Sequence, residues 1–144
     1  MNCVYVAGAY SANNVIDVLS NMRRGMRAST EVLLAGFSPF SPWLDYQFSL
    51  MLQNDETLSV EDYYKYSMSW LERSDCVLVL PNSEHSKGTQ AEIRRAQELG
   101  IPIYYRLKDI PKSPAEEKER SCPSCGAKHI HSLTTAGGAP LYCG

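Results

Sequence analysis

Four short hydrophobic runs along the chain have the length of β-strands. They cover residues 3–7, 37–40, 76–80 and 101–105. Runs of this length, closed by glycine, proline or polar residues, are typical of strands. The run at 76–80 is apolar throughout, as in strands that are buried on both faces of a parallel sheet.

Between these runs, hydrophobic residues recur at helical spacing. The pattern predicts helices from about Asn14 to Ala35, from Val60 to Arg73, and from Thr89 to about Leu99. Gly36 and Gly100 stand where C-terminal helix caps belong. Residues 43–60 show no clean periodicity and are interpreted as a partly buried loop or a short helix.

Strands and helices therefore alternate, which favours an α/β fold. We expect a Rossmann/flavodoxin-like parallel sheet with helices on both faces. Ligands of such sheets bind beyond the carboxyl ends of the strands. This rule selects two loops as candidate site segments, residues 8–14 and residues 81–92.

The organisation of the whole chain follows from length and composition. With 144 residues, 44% hydrophobic and 21% charged, the chain is long enough for one compact domain with its own core. We assign residues 1–107 to this domain. Residues 108–121, rich in Lys, Glu, Pro and Ser, are interpreted as a linker, and residues 122–144 as a small separate tail.

Charge and targeting signals exclude some classes of protein. A net charge of −2 gives no support for a nucleic-acid-binding surface, so a nucleic-acid partner is not expected. The N-terminus has no basic flank, and no stretch approaches the length of a membrane span. We therefore expect a cytoplasmic protein without a membrane partner, whose five cysteines are thiols or metal ligands rather than disulfides.

The first candidate loop consists of Gly8, Ala9, Tyr10 and Ser11. Its glycine permits a tight turn after the strand, and free N–H groups at the start of the following helix can hold an anion. A strand followed by glycine is also common in α/β proteins without such a site.

The second loop contains Ser86, Gly88, Thr89 and Glu92. Gly88 permits close backbone approach, the two hydroxyls can bind a ligand, and Glu92 is the candidate catalytic residue at the helix start. An alternative is purely structural. Thr89-x-x-Glu92 also matches a capping box, in which the glutamate satisfies a backbone donor.

Several motifs together resemble the nucleoside 2-deoxyribosyltransferase-like superfamily, which includes the 2′-deoxynucleoside 5′-monophosphate N-glycosidases. The resemblance covers roughly residues 3–106. Its most specific part is Ser86-x-Gly88-Thr89-x-x-Glu92 after a strand. The other matching segments are Val4-Tyr5-Val6-Ala7-Gly8 with Tyr10-Ser11, Trp70-Leu71-x-x-Ser74-Asp75, and Gly100-Ile101-Pro102.

The resemblance implies a chemistry for these residues. Glu92 would be the nucleophile that attacks the anomeric carbon of a nucleoside or nucleotide, followed by hydrolysis or transfer to another base. The Gly8–Ser11 loop and Ser86 would hold the 5′ end of the ligand. The resemblance also implies a homo-oligomer. A carboxylate near a helix N-terminus is expected to stay ionised at neutral pH.

One position departs from the family pattern. The N-glycosidases have an aspartate three residues before the Trp-Leu pair, where this chain has Ser67. Either another group replaces it, with Asp45, Asp62, Tyr63, Tyr64 and Tyr66 as candidates, or catalysis is lost or changed. The second case predicts a nucleotide- or nucleotide-sugar-binding sensor module.

The tail carries a different motif. Cys122-Pro-Ser-Cys125-Gly126 has the spacing of a zinc knuckle, and Cys143 offers a third ligand. The fourth would be His129 or His131, a residue of another subunit, or water. We expect a structural Zn²⁺; the alternatives are reduced thiols and a redox pair. In a third functional hypothesis, this tail makes the chain an interaction protein.

Overall fold

The computed structural model describes residues 2–112. Eight regular elements follow one another along this part of the chain. In order they are β1 (Cys3–Ala7), α1 (Val15–Leu34), β2 (Ser38–Phe40), α2 (Tyr46–Leu50), α3 (Val60–Leu71), β3 (Cys76–Val79), α4 (Lys87–Leu99) and β4 (Ile103–Tyr104). A 3-10 helix, Pro42–Asp45, precedes α2, and a second, Leu107–Asp109, follows β4.

The four strands form one parallel sheet in the order β2-β1-β3-β4. Tyr5 lies in the middle of this sheet, with Phe40 of β2 on one side and Val77 of β3 on the other. The order reverses direction at β1 and β3, as in the flavodoxin-like arrangement. The predicted parallel α/β sheet is therefore confirmed.

Side chains of β1 alternate between two hydrophobic clusters, one on each face of the sheet. Val4 and Val6 pack with Met22 and Val32 of α1. Tyr5 and Ala7 face the opposite way and pack with Leu71 of α3 and Ala96 of α4. Helices therefore cover both faces, and the completely apolar β3 has the burial on both faces that its sequence predicted.

The helix ends follow from local sequence. Asn14 caps α1 by accepting a hydrogen bond from the Asp17 N–H at 2.9 Å. Gly36 and Gly100 adopt φ values of +96° and +71°, the left-handed conformation that glycine provides after a helix. Both glycines stand where the sequence predicted them to end helices.

The largest differences from the prediction lie outside the regular pattern. The segment 43–60 contributes the end of the first 3-10 helix and α2, and β4 is limited to Ile103–Tyr104. Ile110, inside the predicted linker, is buried in the core cluster on the α1 face. Within residues 2–112, no helix is long and apolar enough to cross a bilayer.

Candidate functional site

A cavity of about 650 Å³ opens at the carboxyl ends of β1, β2 and β3. Its size is within the range of small-ligand sites, about 300–1,000 Å³. The loop after β1, the 3-10 helix after β2, one side of α3 and the start of α4 form its walls. Both loops that the sequence selected contribute to it.

The structure places most of the predicted site residues around this cavity. Those lining it are Gly8, Tyr10, Ser11, Ser86, Gly88, Thr89 and Glu92. Ala9 does not line the cavity. Its carbonyl oxygen instead accepts a hydrogen bond from the Trp43 indole N–H at 3.1 Å, which ties the first loop to the 3-10 helix.

Glu92 is half-buried beside the Tyr5 hydroxyl. Removal from water raises the pKa of Glu92 to about 7, and the nearby phenol opposes this rise only in part. The expectation that the helix N-terminus keeps Glu92 fully ionised is therefore wrong. With a pKa of about 7, protonated and ionised forms of Glu92 coexist near neutral pH.

Tyr5 is completely buried, and its hydroxyl has no hydrogen-bond partner among residues 2–112. Burial and the neighbouring Glu92 carboxyl raise its pKa far above the ordinary value, while the Ser67 hydroxyl lowers it slightly. An unpaired buried hydroxyl costs about 1–3 kcal/mol. The hydroxyl lies at the wall of the cavity beside Glu92.

The start of α4 is not capped by the Thr89-x-x-Glu92 capping box that the sequence offered as an alternative. Ser86 is the N-cap, and its Oγ accepts hydrogen bonds from the Thr89 N–H at 3.2 Å and the Thr89 Oγ1 at 2.8 Å. The capping box between Thr89 and Glu92 is therefore not formed. Since the helix begins at Lys87, Glu92 lies in the second turn, with its carboxyl free for the cavity.

A second carboxyl group lines the same cavity. Asp45, at the end of the 3-10 helix, is 8% exposed, and its Oδ1 accepts a hydrogen bond from the Tyr10 hydroxyl at 2.9 Å. Burial raises the pKa of Asp45, and the Tyr10 hydrogen bond lowers it. The sequence offered Asp45 only as one of several candidates. Its position three residues after Pro42, which follows the end of β2, was the available signal.

Trp43, in the segment without clear periodicity, belongs both to the hydrophobic core and to the candidate site. Its side chain is 1% exposed, lines the cavity and packs against α1 at Gly25. A Cβ atom at Gly25 would lie 2.1 Å from the indole ring, so only glycine leaves room for it. A glycine inside α1 thus positions the residue that closes the back of the cavity.

The other residues considered as replacements for the aspartate missing at Ser67 differ in whether they line the cavity. Tyr63, Tyr64 and Ser67 of α3 line the cavity. Asp62 instead caps α3 by accepting hydrogen bonds from the Ser59 N–H and hydroxyl. Tyr66 does not line the cavity and packs its ring against Phe40 and Phe48.

The predicted zinc ligands Cys122, Cys125, His129 and Cys143 lie outside the described residues. Within residues 2–112, no group of three or more His, Cys, Asp or Glu side chains is arranged to hold a metal ion. The cavity residues of this part of the chain therefore offer no metal centre of that kind.

Comparison with known proteins gives a family match and a likeness to solved structures. The fold is similar to that of a 2-deoxyribosyltransferase from the psychrotolerant bacterium Bacillus psychrosaccharolyticus, with 17% identity and a TM-score of 0.48 over 70% of this chain and 69% of that chain. No curated protein matches the sequence. Residues 2–106 match a family described as a domain of unknown function, DUF7768. The chain therefore belongs to the DUF7768 family.

Proposed function

We propose that this protein cleaves the N-glycosidic bond of a nucleoside or nucleoside 5′-monophosphate, with Glu92 as the nucleophile. The observation that carries the proposal is the half-buried Glu92 carboxyl beside the unpaired Tyr5 hydroxyl, in a ligand-sized cavity at the strand ends. Strongly shifted carboxyls in clefts are characteristic of catalytic sites. The Ser86-x-Gly88-Thr89-x-x-Glu92 resemblance supports the same role.

The reaction follows from this arrangement in two steps. The ionised Glu92 carboxylate attacks the anomeric carbon, the C–N bond breaks, and the base leaves with the electron pair and gains a proton. A water molecule or a second base then attacks the same carbon. The attacking group loses its proton, the ester bond to Glu92 breaks, and the carboxylate is regenerated. The product is a free sugar or a new nucleoside, or the corresponding 5′-phosphate.

Other parts of the cavity suit the two ends of such a ligand. The aromatic side chains of Tyr63 and Tyr64 offer flat surfaces for a base. At the start of α4, Lys87 lines the cavity, and backbone N–H groups without intrahelical partners can hold a 5′-phosphate or hydroxyl.

The direct test is release of free base from a panel of nucleosides and nucleoside monophosphates, followed by chromatography. We expect turnover by the wild-type chain and a loss of about 10³-fold or more in Glu92→Gln. Glu98→Gln is the matched control, because Glu98 lies on the same helix, is exposed and does not line the cavity. No release by the wild type, or full activity in Glu92→Gln, would contradict the proposal.

A second candidate is a nucleotide-binding sensor without turnover. Ser67 favours it, because this buried cavity residue supplies a hydroxyl where the resembling enzymes have a carboxylate. Calorimetry distinguishes the two functions. Binding of a nucleotide with no free base after long incubation would support the sensor, whereas base release that depends on Glu92 supports the enzyme.

On sequence spacing alone, we also propose that Cys122, Cys125, Cys143 and His129 hold a structural Zn²⁺, and that the chain forms a homo-oligomer. Elemental analysis of the full chain should find about one zinc per chain. Cys125→Ser should lower that content. Light scattering gives the oligomeric state independently of the metal.

A further inference from the structure

Asp45 is a buried carboxyl group that the two-step scheme above does not use. Among residues 2–112, no Lys, Arg or His forms an ion pair with it. Its side chain receives a hydrogen bond from Tyr10 to Oδ1. A buried carboxylate without a cation is unfavourable, so its place at the wall of a cavity needs a reason beyond folding.

The sheet order places Asp45 and Glu92 on opposite sides of the end of β1. Asp45 follows β2, Glu92 lies on the helix after β3, and β1 runs between these two strands. Tyr5 of β1 lines the same cavity as both carboxyls. A ligand above the end of β1 would therefore have one carboxyl on each side.

From this placement we propose that Asp45 is the catalytic acid and base that works opposite Glu92, which rests on the proposed function. In the first step the Asp45 carboxyl gives its proton to the base nitrogen as the C–N bond breaks. In the hydrolytic second step the Asp45 carboxylate takes a proton from the attacking water. Asp45 thereby supplies the carboxyl function that Ser67 lacks.

Tyr10 is the positioning residue for this role. Its hydroxyl donates to Oδ1 of Asp45, which leaves Oδ2 for the ligand. The Tyr10 carbonyl in turn accepts a hydrogen bond from the Asn21 side chain of α1 at 3.1 Å. The loop and α1 together fix the direction of the Asp45 carboxyl.

Asp45→Asn is the appropriate variant, because the amide keeps the size and an acceptor for Tyr10 but cannot exchange a proton. Two substrates that differ in their leaving group separate acid catalysis from structure. A 7-methylguanine base leaves without protonation, whereas guanine needs a proton. We expect Asp45→Asn to lower kcat by about 100-fold or more for guanine and by less than about tenfold for 7-methylguanine.

The pH dependence of kcat also tests the role of Asp45, and it does so for any base that the enzyme releases. Asp45 and Glu92 share a cavity with His85, Lys87 and the phenols of Tyr5, Tyr10, Tyr46, Tyr63 and Tyr64. The first step requires an ionised Glu92 and a protonated Asp45. The wild type should show a bell-shaped profile, and Asp45→Asn should lose the fall at high pH.

Tyr10→Phe provides an independent readout. It leaves the Asp45 acid in place but removes the hydrogen bond that lowers the pKa of Asp45. We expect about a tenfold lower kcat and a displacement of the alkaline limb to higher pH. A merely structural hydrogen bond would change kcat or stability without moving that limb.

The outcomes are distinguishable. If Asp45→Asn loses the same factor on both leaving groups and keeps the alkaline limb, Asp45 is not the acid, although base release dependent on Glu92 would still support the proposed function. If the wild type releases no base, both proposals are wrong. Unchanged unfolding midpoints in denaturant show that each variant is folded.

Discussion

The two sides of the cavity differ in how firmly their residues are held. Trp43 and Asp45, after β2, are almost fully buried and are tied by hydrogen bonds to Ala9 and Tyr10. We call this group the fixed wall. The open wall consists of α3, the loop before α4 and the start of α4. Its outer residues Tyr64, His85 and Lys87 are exposed, whereas Ser67 and Thr89 are buried. The fixed wall can orient a reacting group, and the open wall can admit and adjust to a ligand.

The largest effect is expected at the contact between Gly25 of α1 and Trp43 of the fixed wall. Gly25→Ala would place a Cβ atom 2.1 Å from the Trp43 ring, so the indole must move. We expect the free energy of unfolding to fall by more than about 3 kcal/mol, despite the gain of about 1 kcal/mol that alanine brings inside a helix. Denaturant unfolding monitored by circular dichroism measures it.

A double-mutant cycle shows whether Trp43 causes this loss. In a Trp43→Ala background, Gly25→Ala should cost much less, because the ring it would displace is absent. Thr30→Ala, at an exposed position of α1, should change stability by less than about 0.5 kcal/mol. An equal cost of Gly25→Ala in both backgrounds would mean that the fixed wall does not depend on this contact.

The second prediction concerns the carboxyl of the open wall. The pKa of Glu92 is raised from 4.5 to about 7 in the folded state, so folding favours its protonated form. This stability is fully present below pH 4.5 and is lost as the pH rises through about 7. Glu92→Gln, which carries no charge, should therefore be more stable than the wild type at pH 8 by about 2–3 kcal/mol.

The pH dependence itself is the decisive measurement for Glu92. The stability difference between Glu92→Gln and the wild type should shrink as the pH falls from 8 to 4 in unfolding experiments. Glu98→Gln, on the exposed side of α4, should show no comparable trend. A constant difference at all pH values would mean that burial does not hold the proton on Glu92.

The regular helices and strands and the fixed wall differ in how well the sequence predicts them. The periodicity of α1 and the uniform apolar run of β3 indicated the sheet and its helices, because local pattern and burial agree there. Gly100 marked a helix end for the same reason. The fold could thus be predicted from the chain alone, together with the two strand-end loops that carry the site.

The fixed wall could not be predicted in the same way. Asp45 and Trp43 lie in a segment without periodicity, and their positions depend on contacts with Tyr10, Ala9 and Gly25 that are distant in sequence. The role of Glu92 was ambiguous for another reason. Two residues, Ser86 and Thr89, were suitable caps, and only the choice of Ser86 leaves the Glu92 carboxyl free.

A smaller effect is expected for the indole hydrogen bond of the fixed wall. Trp43→Phe keeps an aromatic ring but removes the N–H that donates to the Ala9 carbonyl. We expect a loss of about 1–3 kcal/mol, since the carbonyl is left without its partner in a half-buried loop. Equilibrium unfolding measures it. Trp70→Phe, at a half-exposed ring, is the control and should cost less.

The smallest effects on stability are expected for two glycine-to-alanine substitutions, one beside each wall. In Gly8→Ala the new Cβ lies 3.1 Å from Leu80 and from Trp43, neither of which can move freely, so we expect a loss of about 1–2 kcal/mol. In Gly88→Ala the Cβ lies 3.3 Å from Tyr64, whose half-exposed ring can shift, so stability should change by less than about 0.5 kcal/mol. Unfolding curves of the two variants, recorded side by side, compare the walls directly. Equal losses would show that the open wall is held as firmly as the fixed one.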